Sequence, residues 1–500
     1  MTFMNERNLT LLTDFYELTM GNGYFVNGLE NKVAYFDMFF REIPDDGGFV
    51  IMAGLSQLID YLNNLHFTDE DIDFLRSKGI FDEGFLDYLR HFEFACDVWA
   101  VPEGRPVFPH EPLVTVRGPV IQAQFLETML LLTINHQCLI ATKANRIVRA
   151  AKGRAVMEFG SRRAQGPDAA NYGARAAYIG GVAGSANTST DRDYGVPALG
   201  TMAHSWVQLF GDEEKAFRLY AEAYPQACTL LIDTYDVLGS GLPNAIKVFK
   251  EVVVPKGYRP AGVRIDSGDI AYLSKRVREA LDAEGFEDCA VVVSGGLDEF
   301  LIQDLLMQGA KIDSFGVGER LITCKSDPVF GGVYKMVAVE EDGLLAPRIK
   351  ISENIGKITT PGYKMPWRLF DRETNKAIAD LVMLTDETID DTKPIELFDP
   401  NAVWKRKTVK NFRAEKLQVP IFVGGKQVYE SPSVADIRAY CASEIDTLWD
   451  EVKRFENPHD YYVDYSPSLW SMRERMLMER RHVISGEEHR LIEDAMHGSH

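Results

Sequence analysis

Between residues 154 and 330, short apolar runs alternate with polar or glycine-rich turns and amphipathic stretches. The runs that predict strands are Ala155–Phe159, Tyr178–Val182, Ala198–Thr201, Thr229–Ile232, Gly262–Ile265, Ala290–Val293 and Ser314–Val317. Helical spacing fills several intervals, for example over residues 270–284 and over residues 298–308, where Asp298 is a suitable N-cap. Because parallel strands require a crossover between them, this alternation predicts a parallel sheet covered by helices. The number of repeats favours a barrel, although an open, doubly wound sheet has the same pattern.

The flanking segments have a different pattern, with prolines at residues 102, 106, 109 and 112 indicating a boundary. The elements predicted there are a strand over residues 33–40, helical turns within residues 69–90, a long helix or helix pair over residues 121–150, antiparallel strands over residues 334–339 and 378–384, and helices over residues 434–454 and 472–494. The run Asp45-Asp46-Gly47-Gly48 is interpreted as a loop without a site. We predict an N-terminal mixed α/β domain at 1–120, an α/β barrel at 121–330, and C-terminal strands and helices at 331–500 that partly complete the first domain.

Charge and cysteine content narrow the classes of function. The formal net charge of −20 opposes broad binding to nucleic acid or to anionic membranes, although a local cluster of cations is able to hold a polyanionic substrate. The six cysteines are scattered, which argues against a disulfide framework or a structural zinc site. No signal peptide or membrane-spanning run is recognised, so we expect a soluble, cytoplasmic protein with no metal site formed by the protein alone.

Polar residues follow each predicted strand, at the end where barrel enzymes carry their active sites. In strand order they are Arg162 and Arg163, Ser185 and Asn187, Thr201 and His204, Asp233 and Asp236, Arg264 and Asp266, Ser294-Gly295-Gly296, and Gly316-Val317-Gly318. Turns that contain glycine after the last two strands are typical of phosphate binding through backbone N–H groups. These groups therefore predict one polar site rather than parts of a packed core.

Each of these residues also has a structural interpretation. A lone histidine such as His204 is more often structural than catalytic, the adjacent arginines could form a solvated turn, and Asp266 could cap the next helix. Arg264 and Asp266 are two positions apart in a strand, however, and therefore point to the same side. A fixed cation beside a fixed carboxylate at a strand end favours binding chemistry, and the hydroxyl residues next to His204 favour a catalytic role.

The motifs, taken in order, resemble the nicotinate phosphoribosyltransferase family over nearly the whole chain. They are Leu12–Tyr16, Glu158–Gly166, Gly200–Ser205, Asp233–Asp236, Gly262–Asp269 and Gly331–Lys335. The resemblance implies an incomplete (β/α) barrel of the type II phosphoribosyltransferase kind with an additional mixed α/β domain. It also implies a homodimer with sites near the subunit interface.

The same resemblance implies transfer of phosphoribosyl from phosphoribosyl pyrophosphate, with Mg²⁺, to nicotinate in NAD biosynthesis, coupled to ATP hydrolysis. His204 matches the histidine that is transiently phosphorylated, and Tyr16, Thr201 and Arg264 match positions that contact nicotinate. Asp233 and Asp266 are expected to act with His204 in catalysis by holding the ribose hydroxyls and the metal. The groups expected to bind phosphate or pyrophosphate are Arg162, Arg163, Ser294, Gly295, Gly296, Gly316 and Gly318. One departure is Glu319, where some relatives have a phosphate-contacting threonine.

Three alternatives stay open. A relative that uses nicotinamide would place an acidic partner near the base, and residues 181–185 contain none. Quinolinate phosphoribosyltransferase binds two carboxylates, does not use ATP and is shorter. A non-catalytic barrel that senses nucleotides or scaffolds partners would lose several of the polar strand-end residues, which are intact here.

Overall fold

The computed structural model describes residues 7–479, which group into two compact units. The first unit combines the chain up to Asn135 with Val329–Ser431 and the residues from Ser443 onward, and the second combines His136–Pro328 with Pro432–Ala442. The predicted division into the domains 1–120, 121–330 and 331–500 is a different description of the chain, and it stays a prediction. Within the described residues, no helix is long and apolar enough to cross a membrane.

The architecture is mixed α/β. The helices are α1 Phe15–Val26, α2 Leu55–Asn63, α3 Asp69–Ser77, α4 Glu83–Arg90, α5 Val120–Gln124, α6 Glu127–Ala150, α7 Pro167–Ile179, α8 Thr188–Tyr194, α9 His204–Phe210, α10 Glu213–Ala223, α11 Leu242–Val248, α12 Ile270–Ala283, α13 Glu299–Met307, α14 Glu319–Ile322 and α15 Val434–Thr447. Residues 467–479 are helical as well.

The strands alternate with these helices in the second unit and cluster in the first. They are β1 Val33–Phe39, β2 Val50–Ile51, β3 Asp97–Ala100, β4 Pro106–Val107, β5 Val114–Pro119, β6 Ala155–Glu158, β7 Gly184–Ser185, β8 Thr229–Leu231, β9 Gly262–Ile265, β10 Ala290–Ser294, β11 Ser314–Val317, β12 Val333–Glu341, β13 Leu344–Pro347, β14 Lys364–Asp371, β15 Ala377–Leu384, β16 Ile395–Asp399, β17 Ala402–Val409, β18 Phe412–Lys416, β19 Val419–Val423, β20 Lys426–Gln427 and β21 Val463–Tyr465.

The first unit is built on a seven-stranded antiparallel sheet in the order β13-β12-β1-β5-β3-β19-β20. Its strands come from both ends of the sequence, and Phe36 of β1 stacks on Tyr334 of β12 with ring centroids 4.9 Å apart. A second sheet has the order β18-β14-β15-β21. Across its central pair, Arg368 Nε and Asp380 Oδ1 are 2.8 Å apart, and both side chains are fully buried.

The second unit contains a parallel six-stranded sheet in the order β7-β6-β11-β10-β9-β8. A parallel sheet is buried on both faces, so its strands need runs of apolar side chains, and the branched and aromatic residues of these strands supply them. Val291, Val293 and Phe315 are fully buried. The first long strand, β6, pairs with the last strand, β11, and a single parallel bridge joins Ser185 to Ala198. Every strand therefore ends at the same edge of the sheet.

Five of the seven predicted strands of this region are confirmed as β6, β8, β9, β10 and β11. The strand predicted at Tyr178–Val182 is wrong, because Tyr178 lies in the last turn of α7 and the strand is limited to Gly184–Ser185. Short apolar runs do not distinguish a buried helix end from a strand. The run Ala198–Thr201 forms only the single bridge. Asp298 caps α13, as predicted, by accepting a bond from the Leu301 N–H at 2.8 Å.

Predictions for the flanking segments are largely confirmed by β1, α3 and α4, the pair α5 and α6, and the antiparallel strands β12 and β15. The helix predicted over residues 434–454 ends earlier, at Thr447. Lys376 Nζ donates to the carbonyl oxygens of Asp446 and Leu448 at 2.7 and 3.0 Å, which satisfies the end of the helix. The helix predicted over residues 472–494 is confirmed as far as residue 479, and the remainder lies outside the described residues.

Candidate active site

Arg264, on β9 in the second unit, is the centre of a hydrogen-bonded group at the carboxyl edge of the parallel sheet. Its Nε donates to Ser294 Oγ at 2.8 Å, and its two terminal nitrogens donate to Asp266 Oδ1 at 2.8 Å and to Thr201 Oγ1 at 3.3 Å. The guanidinium carbon also lies 5.4 Å from the ring centroid of Phe159. The predicted proximity of Arg264 and Asp266 is confirmed, and residues that are 63 positions apart meet around one cation.

Asp266 is held in its charged form by this group. Burial opposes ionisation, but the hydrogen bond from Ser294 and the charge of Arg264 outweigh it and lower the pKa of Asp266 below its ordinary value. The interpretation of Asp266 as a helix cap is wrong, because Asp269 caps α12 by accepting from the Tyr272 N–H at 3.0 Å. Asp266 is therefore a carboxylate at the site rather than a cap.

His204 is the first residue of α9 and faces the loop after β8. Its Nδ1 lies 3.1 Å from Thr234 Oγ1, and its Nε2 lies 3.9 Å from Asp233 Oδ1. The Asp233 side chain is only 2% exposed, whereas that of His204 is 39% exposed. The imidazole thus has a hydroxyl at one nitrogen, a buried carboxylate at the other, and an open side toward solvent.

Asp233 is fixed in place from the neighbouring strand end. Its Oδ2 accepts from the Asp266 N–H at 3.0 Å and from Ser267 Oγ at 2.7 Å. Its Oδ1 is buried and has no hydrogen-bond partner within the described residues. A buried carboxylate oxygen without a donor is costly, so this atom is suited to a donor or cation supplied by a ligand.

The turn after β10 requires glycine. Gly295 has a φ of +97°, and a Cβ there would lie 2.1 Å from the backbone oxygen of Asp266. At the end of β11, a Cβ on Gly316 would lie 2.5 Å from the Phe159 ring. These two glycines let the backbone run close to the Arg264 group. Gly296 and Gly318 belong to the same two turns.

Arg162 and Arg163 lie on a short 3₁₀ turn, Ser161–Arg163, directly after β6, and both are exposed. Arg163 Nε is 3.8 Å from Glu319 Oε2, and Lys325 Nζ donates to Glu319 Oε1 at 2.8 Å. The charges of Lys325 and Arg163 lower the pKa of Glu319. The residue that departs from the family pattern is therefore an anion paired with Lys325 and with Arg163, one of the two arginines expected to bind pyrophosphate.

Tyr16 lies in the first unit, on the exposed side of α1. Partial burial and a hydrogen bond to Glu127 raise the pKa of its hydroxyl above the ordinary value. The structure thus brings His204, Thr201, Asp233, Arg264, Asp266 and Ser294 together in the second unit, and it describes Tyr16 as part of the first.

Three contributors, Glu158, Phe159 and Thr234, lie within the motifs of the family resemblance but were not assigned a role from the sequence. Glu158 ends β6 fully buried, accepts from Ser185 Oγ at 2.5 Å and from the Gly160 N–H, and burial raises its pKa. A carboxylate at the end of a buried strand was an available signal for this residue. Phe159 and Thr234 gave no such signal, because their contacts with Arg264 and His204 come from other strands.

No group of three or more histidine, cysteine or acidic side chains within residues 7–479 is arranged to hold a metal ion. Asp233 and Asp266 still fit a magnesium ion that arrives with a diphosphate, because Mg²⁺ is commonly held by one or two carboxylates together with substrate phosphates. The unpartnered Oδ1 of Asp233 is the observation that favours this fit.

Family models cover most of the chain. Residues 11–135 match the nicotinate phosphoribosyltransferase N-terminal domain, residues 154–357 match the nicotinate phosphoribosyltransferase family, and residues 363–473 match the C-terminal domain. The chain is 42% identical over 482 residues to nicotinate phosphoribosyltransferase of Bacillus subtilis, covering 96% of this chain and 98% of the relative. It is 32% identical over 520 residues to the enzyme of that name from Homo sapiens, covering 92% and 95%.

Solved structures agree with these matches. The crystal structure of human nicotinic acid phosphoribosyltransferase aligns with a TM-score of 0.82 at 30% identity, covering 93% of this chain and 99% of that one. Nicotinate-nucleotide pyrophosphorylase from Pyrococcus furiosus, with a TM-score of 0.68 at 24% identity over 89% and 97% of the two chains, shows the shared fold alone. The chain belongs to the nicotinate phosphoribosyltransferase family.

Proposed function

We propose that this enzyme transfers phosphoribosyl from phosphoribosyl pyrophosphate to nicotinate, and that ATP hydrolysis drives the transfer through transient phosphorylation of His204. The products are nicotinate mononucleotide and pyrophosphate, for NAD biosynthesis. The enzyme class rests on family membership. The single observation that carries the site assignment is the Arg264 guanidinium, which is held by Asp266, Ser294 and Thr201 at the rim that also holds His204.

Arg264 suits the carboxylate of nicotinate because its planar fork matches two oxygen acceptors. Its contacts with Ser294 and Asp266 fix the fork, so little side-chain entropy is lost on binding. Thr201 lies at the same guanidinium, 3.3 Å away. Tyr16 is assigned to nicotinate on the family resemblance alone.

In the transfer, the pyridine nitrogen attacks the anomeric carbon while the bond to pyrophosphate breaks, so no proton has to leave the base. Negative charge builds on the departing pyrophosphate, where Arg162 and Arg163 form bonds that strengthen in the transition state. Backbone N–H groups at Ser294, Gly295, Gly296, Gly316 and Gly318 are proposed to hold the 5′-phosphate. Asp233 and Asp266 hold ribose hydroxyls and the magnesium ion, which neutralises phosphate charge when bound.

His204 is assigned the ATP-dependent step. A ring nitrogen attacks the terminal phosphorus of ATP, the bond to ADP breaks, and water later releases the phosphate. Thr234 and Asp233, at the two nitrogens, orient the ring for this attack. A dianion on His204 would stand beside Asp233 and could reorganise the site around the substrates.

The incomplete barrel is part of the proposal. Its support is the pairing of β6 with β11, which joins the first strand to the last, together with the bridge at Ala198. The interruption would fall between Ala198 and β8. A homodimer with sites near the interface and a cytoplasmic location are proposed on the resemblance, and analytical ultracentrifugation tests the dimer.

The test combines product analysis with mass spectrometry. We expect nicotinate mononucleotide from nicotinate, and a phosphate on His204 after incubation with ATP that is absent from the His204→Asn variant. ATP stimulation that survives in His204→Asn would contradict the phosphorylation step. Preference for nicotinamide would identify the amide-using relative, and turnover of quinolinate without ATP stimulation would identify the quinolinate enzyme.

A further inference from the structure

The first unit contains a cavity of about 650 Å³ that the proposed reaction does not use. It is lined by Ala379 and by segments within residues 43–48, 108–110, 356–360, 397–407 and 458–473, and all of them belong to the first unit. The candidate active-site groups around Arg264 belong to the second unit. A volume in this range fits a small organic ligand, since such sites commonly measure roughly 300 to 1,000 Å³.

The lining of this cavity is less acidic than the chain as a whole. The chain carries a net charge of −20, yet the cavity lining has Lys405, Arg406, Lys407 and Arg473 against three aspartates. Lys405 lies 3.8 Å from Asp399, and Arg406 pairs with Glu396. Lys407 forms no ion pair with any of residues 7–479, although its charge does act on Asp464 in the same lining.

A second concentration of positive charge lies at Arg473. Its side chain is 11% exposed and donates to Glu474 Oε1 at 3.1 Å. Burial, Arg41 and Arg473 lower the pKa of His110, which is therefore neutral near pH 7. The Nε of Arg41 is buried and lacks a hydrogen-bond partner among the described residues. Arg473 therefore adds a nearly buried guanidinium to the lining beside His110, with Arg41 behind them.

An exposed tyrosine provides a flat wall beside these cations. Tyr462 is 44% exposed, with Lys407 Nζ 5.6 Å from its ring centroid and the His459 ring edge-on at 5.6 Å. The preceding residue, Tyr461, is rigid, because it stacks on Phe108 at 3.8 Å and donates to Asp380 Oδ1 at 2.9 Å. A planar ring can lie against Tyr462 while its anionic end meets the cations.

Backbone strain is concentrated around the same cavity. His110 has a φ of +69°, and Asp45, Asp46 and Asn457, which flank lining residues, have φ values of +56°, +47° and +47°. They are four of the nine non-glycine residues with positive φ in the part of the chain that the structure describes. Such strain costs free energy and gathers where a ligand is held. The loop Asp45–Gly48, to which no site was assigned from the sequence, thus borders this cavity.

We propose that this cavity is a second binding site, for a nucleotide, with the phosphate at Lys407 and the base against Tyr462. A purely structural cavity would not need a lysine without an ion pair among the described residues to lie beside an exposed aromatic ring. The proposal is independent of the reaction assigned to the second unit.

Isothermal titration calorimetry on the full chain tests the proposal with AMP and with inorganic phosphate as probes. AMP is expected to bind at least about tenfold more tightly than phosphate, because it adds the ring contact to the charge contact. Lys407→Glu and Tyr462→Ala are each expected to weaken AMP binding by about tenfold or more. Both positions are exposed, so the melting temperatures of the variants should match that of the parent chain.

Two matched variants complete the design. Lys410→Glu makes the same charge change just beyond β17 but away from the cavity, and it should leave AMP binding within about twofold. The double variant Arg162→Ala, Arg163→Ala changes the candidate active site instead. It should still bind AMP at the cavity, whereas Lys407→Glu should lose that binding. The proposal is overturned if AMP gives no binding, if AMP and phosphate bind equally, or if the cavity variants bind AMP as the parent does. It is also overturned if only the double variant loses binding.

Discussion

At the scale of single residues, Arg264 makes the most contacts in the candidate active site, and each contact uses a different part of its guanidinium. The side chain is 15% exposed, so its charge acts where water screens it little. Lysine at this position would keep the charge but lose the fork. The shape of the side chain, more than its charge, is therefore what the site uses.

Replacement of Arg264 by lysine is expected to lower kcat/KM for nicotinate by about 10²- to 10³-fold, because an ammonium lacks the planar, fixed pair of donors that matches a carboxylate. Steady-state kinetics with nicotinate measure the effect. The matched control is Arg259→Lys, an exposed arginine that pairs with Asp288, which should stay within about threefold of the parent. A loss of less than threefold in Arg264→Lys would argue against the assignment.

Asp464, in β21 of the first unit, gives a pH prediction. Burial and the nearby charge of Asp399 raise its pKa from 3.8 to about 6, and Lys407 opposes the shift. An acid whose pKa is raised on folding destabilises the folded state once it ionises. The penalty is absent below the unfolded pKa, develops between about pH 4 and pH 6, and is complete above that window.

The Asp464→Asn variant should therefore be more stable than the parent at pH 8 by about 1–2 kcal/mol, with the difference vanishing near pH 4. Urea unfolding at the two pH values measures it. Asp460→Asn is the control, since Asp460 is exposed and should change stability little at either pH. Equal stability of the parent and Asp464→Asn at pH 8 would contradict the prediction.

At the scale of elements, the turns after the strands decide where the site groups lie. The turn between β10 and α13 brings Gly295 against the backbone oxygen of Asp266, and Asp298 then starts α13. Strand and helix boundaries of this kind follow from local residue types. That the turn after β10 lies next to the end of β9 follows only from the order of the strands in the sheet.

Gly295→Ala is expected to destabilise the protein by about 2–4 kcal/mol and to lower kcat/KM by at least about tenfold, because the added Cβ displaces the Asp266 backbone and strains a positive φ. Gly285→Ala separates the two causes, since Gly285 has a φ of +76° and open space around it. That control should cost only about 1 kcal/mol and leave activity unchanged. Thermal unfolding measures the change in stability, and steady-state kinetics measure the change in kcat/KM. Equal losses in Gly295→Ala and Gly285→Ala would show that the contact with the Asp266 backbone does not matter.

At the scale of the whole molecule, the sheet of the first unit is assembled from distant parts of the sequence. β1 pairs with β12, and β3 pairs with β19, across more than two hundred positions. The N-terminal strands therefore depend on neighbours that are synthesised much later. Sheets with such long-range pairing form slowly, because loop closure precedes the gain from pairing.

A fragment of residues 1–135 is accordingly expected not to fold on its own, since β1 and β3 would both become open sheet edges. Circular dichroism during heating should show no cooperative transition for this fragment. Addition of a fragment of residues 329–479, which supplies β12 and β19, should restore native-like signal. A sharp, reversible transition of the 1–135 fragment alone would contradict this expectation.

Much of the candidate site could be predicted from the sequence, because its members stand directly after apolar runs and carry chemistry that a core does not need. His204, Asp233, Arg264 and Asp266 were found in this way, and the structure places them together. The strand at Tyr178–Val182 was predicted wrongly, because apolar periodicity over five residues does not separate a helix end from a strand.

Local chemistry determined the elements, the polar strand ends, the caps and the family, since these depend on residue type and spacing along the chain. Tertiary structure alone decided that Ser294 and Thr201 hold Arg264 and that Glu319 pairs with Arg163. It also decided that one oxygen of Asp233 has no donor among residues 7–479. It decided as well that a cavity with four cationic side chains in its lining forms from separate segments of the first unit. The physical reason is that such contacts depend on strand order and register, which bring together residues that no local pattern connects.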